Sequence, residues 1–163
     1  MAINDKGFTV PDGAAADAVI IQRRKATEDK LSWYESQILL VKRKHDPFKG
    51  LWAFPGGFLE PYEDFYDACH REAKEELGID IDPFCGEKPL CVRSGHYLND
   101  PRGWIVAVPF LVLLPTTIDI SFKAGDDAEE AEWFSIKEIL ENKTPLAFDH
   151  YDVINNCIPK HLI

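Results

Sequence analysis

The sequence predicts a mixed α/β layer structure in one domain, and three observations carry that reading. Short aliphatic and β-branched runs alternate along the chain with a stretch of helical spacing. Its 163 residues, 45% of them hydrophobic, suit one globular core and leave no room for a second folded domain. No internal repeat, low-complexity segment or shift in composition marks a boundary within residues 1–163.

Ala18 to Ile21 and Gln37 to Val41 are two short runs of strand type, and the polar stretch RRKATEDKLSWYES between them reads as a long solvated loop. Trp52 to Phe54 reads as a brief strand. Pro55-Gly56-Gly57 ends it and frees the backbone for a tight turn or exposed loop. From Asp64 to Leu77 the period becomes helical: Phe65, Cys69, Ala73 and Leu77 recur at every fourth position and share a face, with Gly78 as the stop. Strand character returns at Leu90 to Val92 and, more strongly, at Ile105 to Leu114. Ile118, Ile120 and Phe122 alternate with polar residues as a half-buried strand does, and Glu132 to Phe134 adds one more. Ser135-Ile136-Lys137-Glu138 is a capping-box sequence that opens a short helix. A last helix runs from near Asp149 to Cys157 and is ended by Pro159.

Charge and composition exclude several classes. With a formal charge of -10, the surface as a whole repels phosphate backbones, so no nucleic-acid partner is expected and a phosphate-bearing substrate needs cations to dock. Cys69, Cys85, Cys91 and Cys157 lack CxxC spacing and read as small buried hydrophobes. The opening MAINDKGFTVPDG has no basic and apolar signal segments, so a reduced, cytoplasmic setting is expected. Trp104 to Leu114, the longest apolar run, is broken by Pro109 and falls far short of the roughly 20 residues of a membrane span.

The stretch GGFLEPYEDFYDACHREAKEELGI crowds acidic residues onto the helix. Glu72 and Glu76 are four apart and Glu72 and Glu75 three apart, so the three carboxylates can converge near one helix edge, where like charges repel. A hard divalent cation, Mg²⁺ or Mn²⁺, is one natural partner for such oxygens. A solvated helix face neutralised by Lys74 and Arg71 is the other reading of the same run.

Spacing discriminates between them. Gly57, Glu63, Arg71, Glu72, Glu75, Glu76 and Gly78 stand in the arrangement G-x5-E-x7-R-E-U-x-E-E-x-G-U, with Ala73 and Ile79 at the aliphatic positions. This resembles the Nudix box, the signature of hydrolases that act on a nucleoside diphosphate linked to another group, and implies a Nudix-type α/β/α sandwich with a mixed sheet. The resemblance implies that Glu72, Glu75 and Glu76 bind divalent metal, joined by the Gly57 carbonyl. Glu63 and Arg71 become a structural pair bracing loop against helix, and Glu60 assists through a metal-bound water. Metal neutralises the diphosphate and acidifies water, and a carboxylate removes the proton. The implied base is Glu75 or an acid of the AGDDAEEAEWF loop, which holds Asp126, Asp127, Glu129 and Glu130; Glu129 is the chosen loop candidate.

PFKGLWAFPGGF, DPRGW, AGDDAEEAEWF and LAFDH resemble the branch with ADP-ribose pyrophosphatases and Nudix regulators of NAD metabolism. There Arg102, and Arg43 in VKRKHDPFKG, are implied to contact substrate phosphate, with Phe54 or Tyr97 stacking on adenine. Two positions depart from subfamily patterns: Gly95 stands where ADP-ribose hydrolases carry proline, and Tyr97 where dinucleoside polyphosphate hydrolases carry tyrosine. The leading expectation is hydrolysis of ADP-ribose to AMP and ribose 5-phosphate. Its alternatives are another nucleotide hydrolase, of dinucleoside polyphosphates above all, and a non-catalytic ADP-ribose sensor. The sensors' DNA-binding domain is not expected to follow Ile163, and a homodimer is an expectation of the branch only.

Overall fold

The computed structural model describes residues 2–25, 34–94, 100–117 and 128–163. Its strands are β1 (Ala2–Ile3), β2 (Thr9–Val10), β3 (Gly13–Lys25), β4 (Tyr34–Arg43), β5 (Trp52–Ala53), β6 (Gly56–Phe58), β7 (Cys85–Pro89), β8 (Arg93–Ser94), β9 (Ile105–Leu114) and β10 (Ala128–Ser135). Its α-helices are α1 (Phe65–Leu77), α2 (Ile136–Asn142) and α3 (His150–Asn156). β1 and β2 form a separate small hairpin. The others form one mixed sheet ordered β10-β4-β3-β9-β7, with β5 on β4, β6 on β3 and β8 on β9. β3 and β9 run parallel from Gly13 opposite Ile105 to Gln22 opposite Leu114, and the other paired strands are antiparallel.

The alternation of β3 builds both cores. Ala16, Ala18 and Ile20 pack on one side with Ala68, Cys69, Ala73 and Leu77 of α1. Val19 and Ile21 pack on the other with Ile136 and Ile139 of α2 and Val153 and Ile154 of α3. A strand covered on both faces reads as a continuous apolar run, and Ala18 to Ile21 is that run. The result is an α/β/α sandwich. Small residues on α1 and β3 let the helix lie close to the sheet, which later brings the box glutamates onto β6.

Local chemistry fixes the ends of α1. Asp64 caps it by accepting from the Asp67 amide at 2.9 Å, and Gly78 ends it in the left-handed region at φ 70°. Ser135 caps α2 by accepting from the Glu138 amide at 3.2 Å.

Three stretches differ from the expectation. β3 and β4 extend into the polar stretch, to Lys25 and from Tyr34, because ladder bonds between Arg23 and Ser36 or Arg24 and Glu35 are made by backbone and are indifferent to side-chain polarity. Gly56 and Gly57 are not a free turn but part of β6, paired on β3. A Cβ on Gly56 would lie 2.4 Å from the Ala16 carbonyl oxygen, so only glycine permits this approach. Leu90 to Val92 is not a strand; it is the gap between β7 and β8. The Leu90 amide donates to the Pro109 carbonyl at 2.8 Å, but Pro109 has no N–H to return, and the ladder breaks there. Ile118, Ile120 and Phe122 lie outside the described residues. All four cysteines are free, Cys69 buried and the others half-buried. Among the described residues no helix is long and apolar enough to cross a membrane.

Candidate active site

α1 lays its acidic edge against β6. Arg71 is the centre of the arrangement: its Nε and Nη2 donate to the two Glu63 oxygens at 2.8 and 3.0 Å. Nη1 donates to Glu72 Oε1 at 2.7 Å and to Glu75 Oε2 at 3.1 Å, and Nη2 also donates to the Phe58 carbonyl at 2.9 Å. One guanidinium thus ties the loop after β6 to the helix and partly neutralises three carboxylates. Its hydrogen bonds hold the Glu63 carboxyl below the usual carboxylate range, and Glu63 in turn raises the pKa of Arg71 further.

The two glycines of β6 meet the helix differently. Gly56 donates its amide to Glu76 Oε2 at 3.1 Å, which accounts for a glutamate only 8% exposed. Gly57 faces Glu72, whose Oε1 lies 2.3 Å from where a Cβ would stand. Among the described residues, no three acidic side chains are gathered into a ready-made metal cage. Glu72 and Glu75 turn to Arg71, and Glu76 turns to Gly56.

Beside this edge, on the α2 and α3 side of the sheet, opens a cleft with about 610 Å³ of unfilled space, its mouth included. Ala15, Ile105 and Ala107 of the parallel pair floor it, and cationic groups stand in its walls. Arg102 is held by Asp100, through Nε at 2.9 Å and Nη2 at 2.6 Å, with its guanidinium 4.5 Å from the Phe58 ring and 5.1 Å from that of Phe148. Arg43 donates from Nε to the Pro47 carbonyl at 2.7 Å and lies 4.8 Å from the Phe148 ring. Burial and then the Arg102 charge lower the Arg43 pKa, which marks two cations facing one space. Such a pair attracts an anion.

The inner end of the cleft is acidic and aromatic. Arg93 donates to Asp149 Oδ2 at 2.6 Å. His150 Nδ1 accepts the Phe54 amide at 2.9 Å, and its ring stacks on Phe54 with centroids 4.2 Å apart. Asp17 reaches the floor from β3, half-buried by surface area but with a largely desolvated carboxyl. Burial first, then the charges of Asp149 and Glu72, raise its pKa to about 7.

The NUDIX domain model matches residues 13–157. The chain belongs to the Nudix family. A relative named ADP-ribose pyrophosphatase, from Methanocaldococcus jannaschii, is 41% identical over 122 residues, covering 75% of this chain and 66% of that one. A second, the ADPR responsive transcriptional repressor NtrR of Acinetobacter baylyi, is 35% identical, covering 76% of this chain and 47% of its own length. The match therefore spans about half to two thirds of these relatives. Among solved structures, the NUDIX domain of Shewanella oneidensis NrtR complexed with ADP ribose superposes with a TM-score of 0.72 at 26% identity, covering 93% of this chain and 89% of that one.

In this Nudix chain Gly57, Glu63, Arg71, Glu72, Glu75 and Glu76 come together at the α1–β6 edge, while Gly78 stands at the far end of α1. Arg43 and Arg102 line the cleft, and Phe54 forms part of its wall. Glu60 is exposed and its amide donates to Glu63 Oε2 at 2.9 Å. Glu130 is exposed and paired with Lys42 at 3.6 Å. The Glu129 backbone belongs to β10, but its side chain, like Asp126, Asp127, Gly95 and Tyr97, lies outside the described residues. Sequence reasoning did not assign Asp17, Phe58, Arg93, Asp100, Phe148, Asp149 or His150 to the site. Asp17 carried a signal of its own, a charge inside the apolar run AAADAVII, while Phe58, Asp100, Phe148, Asp149 and His150 lie within the stretches PFKGLWAFPGGF, DPRGW and LAFDH that carried the resemblance.

His150 gives the Nudix cleft a pH-dependent foundation. Burial lowers its pKa to about 3, against 6.5 for a free histidine, so its neutral ring accepts from Phe54 and must carry its proton on Nε2. Below pH 6.5 the unfolded chain takes up a proton that the folded chain refuses. This contribution is complete above pH 6.5 and lost as pH falls toward 3. About 2 kcal/mol is expected to be lost by pH 5. In urea unfolding at pH 7.5 and pH 5, His150→Asn is expected to shrink the wild-type pH difference by that amount; an unchanged difference disproves the assignment.

Proposed function

We propose that residues 1–163 form one Nudix domain acting as a divalent-metal-dependent pyrophosphohydrolase. Its substrate is a nucleoside diphosphate linked to another group, ADP-ribose first, and its products are then AMP and ribose 5-phosphate. The observation that carries this reading is the juxtaposition of a glutamate edge with a cleft that holds two cations, Arg43 and Arg102. The relative named ADP-ribose pyrophosphatase and the ADP ribose in the NrtR domain support the choice of substrate.

The donor set fits a hard cation. Glu63, Glu72 and Glu75 share the single Arg71 guanidinium, which leaves negative charge over, and every donor is oxygen. Glu72, Glu75, Glu76 and the Gly57 carbonyl would hold Mg²⁺ or Mn²⁺. Such a metal supplies charge neutralisation on the diphosphate and a more acidic water.

The chain's own groups do the rest. Arg43 and Arg102 orient the diphosphate oxygens in the cleft. Glu75, 59% exposed and held only by Arg71 among the described residues, takes the proton of the attacking water; Glu129 is the second candidate for that role. Water adds to one phosphorus, the P–O bond of the anhydride breaks, and the other phosphate leaves.

The test is phosphate release after coupled phosphatase treatment, with Mg²⁺, across ADP-ribose, diadenosine polyphosphates, NADH, nucleotide sugars and nucleoside triphosphates. Selective cleavage of ADP-ribose is expected. Preference for diadenosine polyphosphates would favour instead the substrate class whose sequence pattern Tyr97 matches. Tight ADP-ribose binding without turnover of any compound would replace the enzyme by a sensor, in keeping with the name of the ADPR responsive repressor NtrR.

A further inference from the structure

The inner end of the cleft has no task in the scheme above. Asp17 sits on β3 opposite Gly56, and a Cβ there would lie 2.4 Å from its Oδ1, so the glycine leaves this oxygen uncovered. Among the described residues no hydrogen bond reaches the Asp17 carboxyl; the groups that act on it do so through charge, Asp149 and Glu72 against it and Arg102 and Arg43 for it. A desolvated carboxyl without donors costs stability. Asp149 has one oxygen engaged by Arg93, and its other oxygen has no hydrogen bond among the described residues. His150, its Nδ1 taken by Phe54, carries an Nε2–H in the same lining.

We propose that Asp17, with Asp149 beside it, is a specificity-determining acceptor pair that takes the hydroxyl groups of the sugar on the far side of the diphosphate. Phosphate is repelled by Asp149 and, once it is ionised, by Asp17, so the anionic part of the substrate stays with Arg43 and Arg102. Adenine offers one amino donor flanked by ring acceptors that would face the carboxylates. A sugar edge offers adjacent hydroxyls, each a donor for one acceptor, and its oxygens can accept from His150. A site built to receive hydroxyls discriminates strongly against ligands that lack them, because its own polar groups are then left unpaired. The assignment rests on the proposed nucleotide site, but not on turnover.

The experiment is calorimetric binding in EDTA, so that no ligand is cleaved, of ADP-ribose, ADP and IDP to the wild type, Asp17→Asn and Asp17→Ala. Asp17→Ala removes the acceptor and is expected to weaken ADP-ribose by roughly tenfold or more while ADP stays within about twofold; Asp17→Asn, which keeps one carbonyl acceptor, is expected to weaken ADP-ribose by less. Asp17→Asn is also expected to melt higher than the wild type without ligand, because it removes an unpaired desolvated carboxyl; a bracing role would lower melting. Equal weakening of ADP-ribose and ADP, no weakening of either, or a changed preference between ADP and IDP would each overturn the sugar assignment. Asp17-dependent ADP-ribose binding with no turnover in Mg²⁺ would sink the hydrolase reading and keep this one. Turnover of ADP-ribose with no Asp17 dependence would do the reverse.

Discussion

Replacing Glu76 by Gln is expected to lower Mg²⁺-dependent turnover by a hundredfold or more and to leave the fold in place. The two halves have separate causes. Glu76 Oε2 accepts from the Gly56 amide at 3.1 Å, and the carbonyl oxygen of Gln can accept the same bond, so β6 keeps its anchor on α1. What is lost is the negative charge and the oxygen proposed to bind metal. Outer partners of metal ligands already cost about 10–100-fold when removed, so a direct ligand sets at least the upper end of that range. Glu76 also attracts the Arg43 cation in the cleft, so its charge bears on the phosphate side as well. The measurement is initial rates over a Mg²⁺ titration, with circular dichroism on the same samples. A folded variant that turns over at the wild-type rate would remove Glu76 from the metal site.

The acidic edge was legible in the sequence because it is local. Asp64, Gly78 and the fourfold spacing of Cys69, Ala73 and Leu77 determine where α1 begins, ends and faces, so the separations of Glu72, Glu75 and Glu76 become positions in space. The cleft was not legible, because Asp17, Arg93, Asp100 and Asp149 are far apart in the chain and meet only through the β3–β9 pairing and the docking of α3. No period or spacing rule reports such a meeting. Gly56 and Gly57 misled for a related reason: glycine marks freedom of the backbone, and here the freedom serves close approach of a strand to Ala16 and of a helix to Glu72. Leu90 to Val92 failed through its neighbour, since Pro109 withholds the donor that a strand there would need.

Arg71→Met is expected to cost about 2–3 kcal/mol of folding stability, and added Mg²⁺ is expected to return part of it. Removing one member of a fully buried ion pair costs about 3–5 kcal/mol. The Arg71 and Glu63 side chains are 21% and 13% exposed, so solvent screening brings the expected loss below that range. Methionine keeps the apolar stem but abandons Glu63, Glu72 and the Phe58 carbonyl, while Glu75, more than half exposed, loses little. The remaining carboxylates then repel one another without a counter-charge, and a divalent cation binding the folded state relieves the repulsion more in the variant than in the wild type. Acid adds a second signature. With Arg71 present, the folded Glu63 pKa lies below the ordinary 4.5, so its stabilisation is complete above pH 4.5 and fades as pH falls through the lower folded value. The variant should lose that acid sensitivity. Urea unfolding with and without MgCl₂, at pH 7 and pH 4, measures both effects. An Arg71→Met protein as stable as the wild type, with equal response to Mg²⁺, would show that Glu63 and Arg71 do not brace the loop.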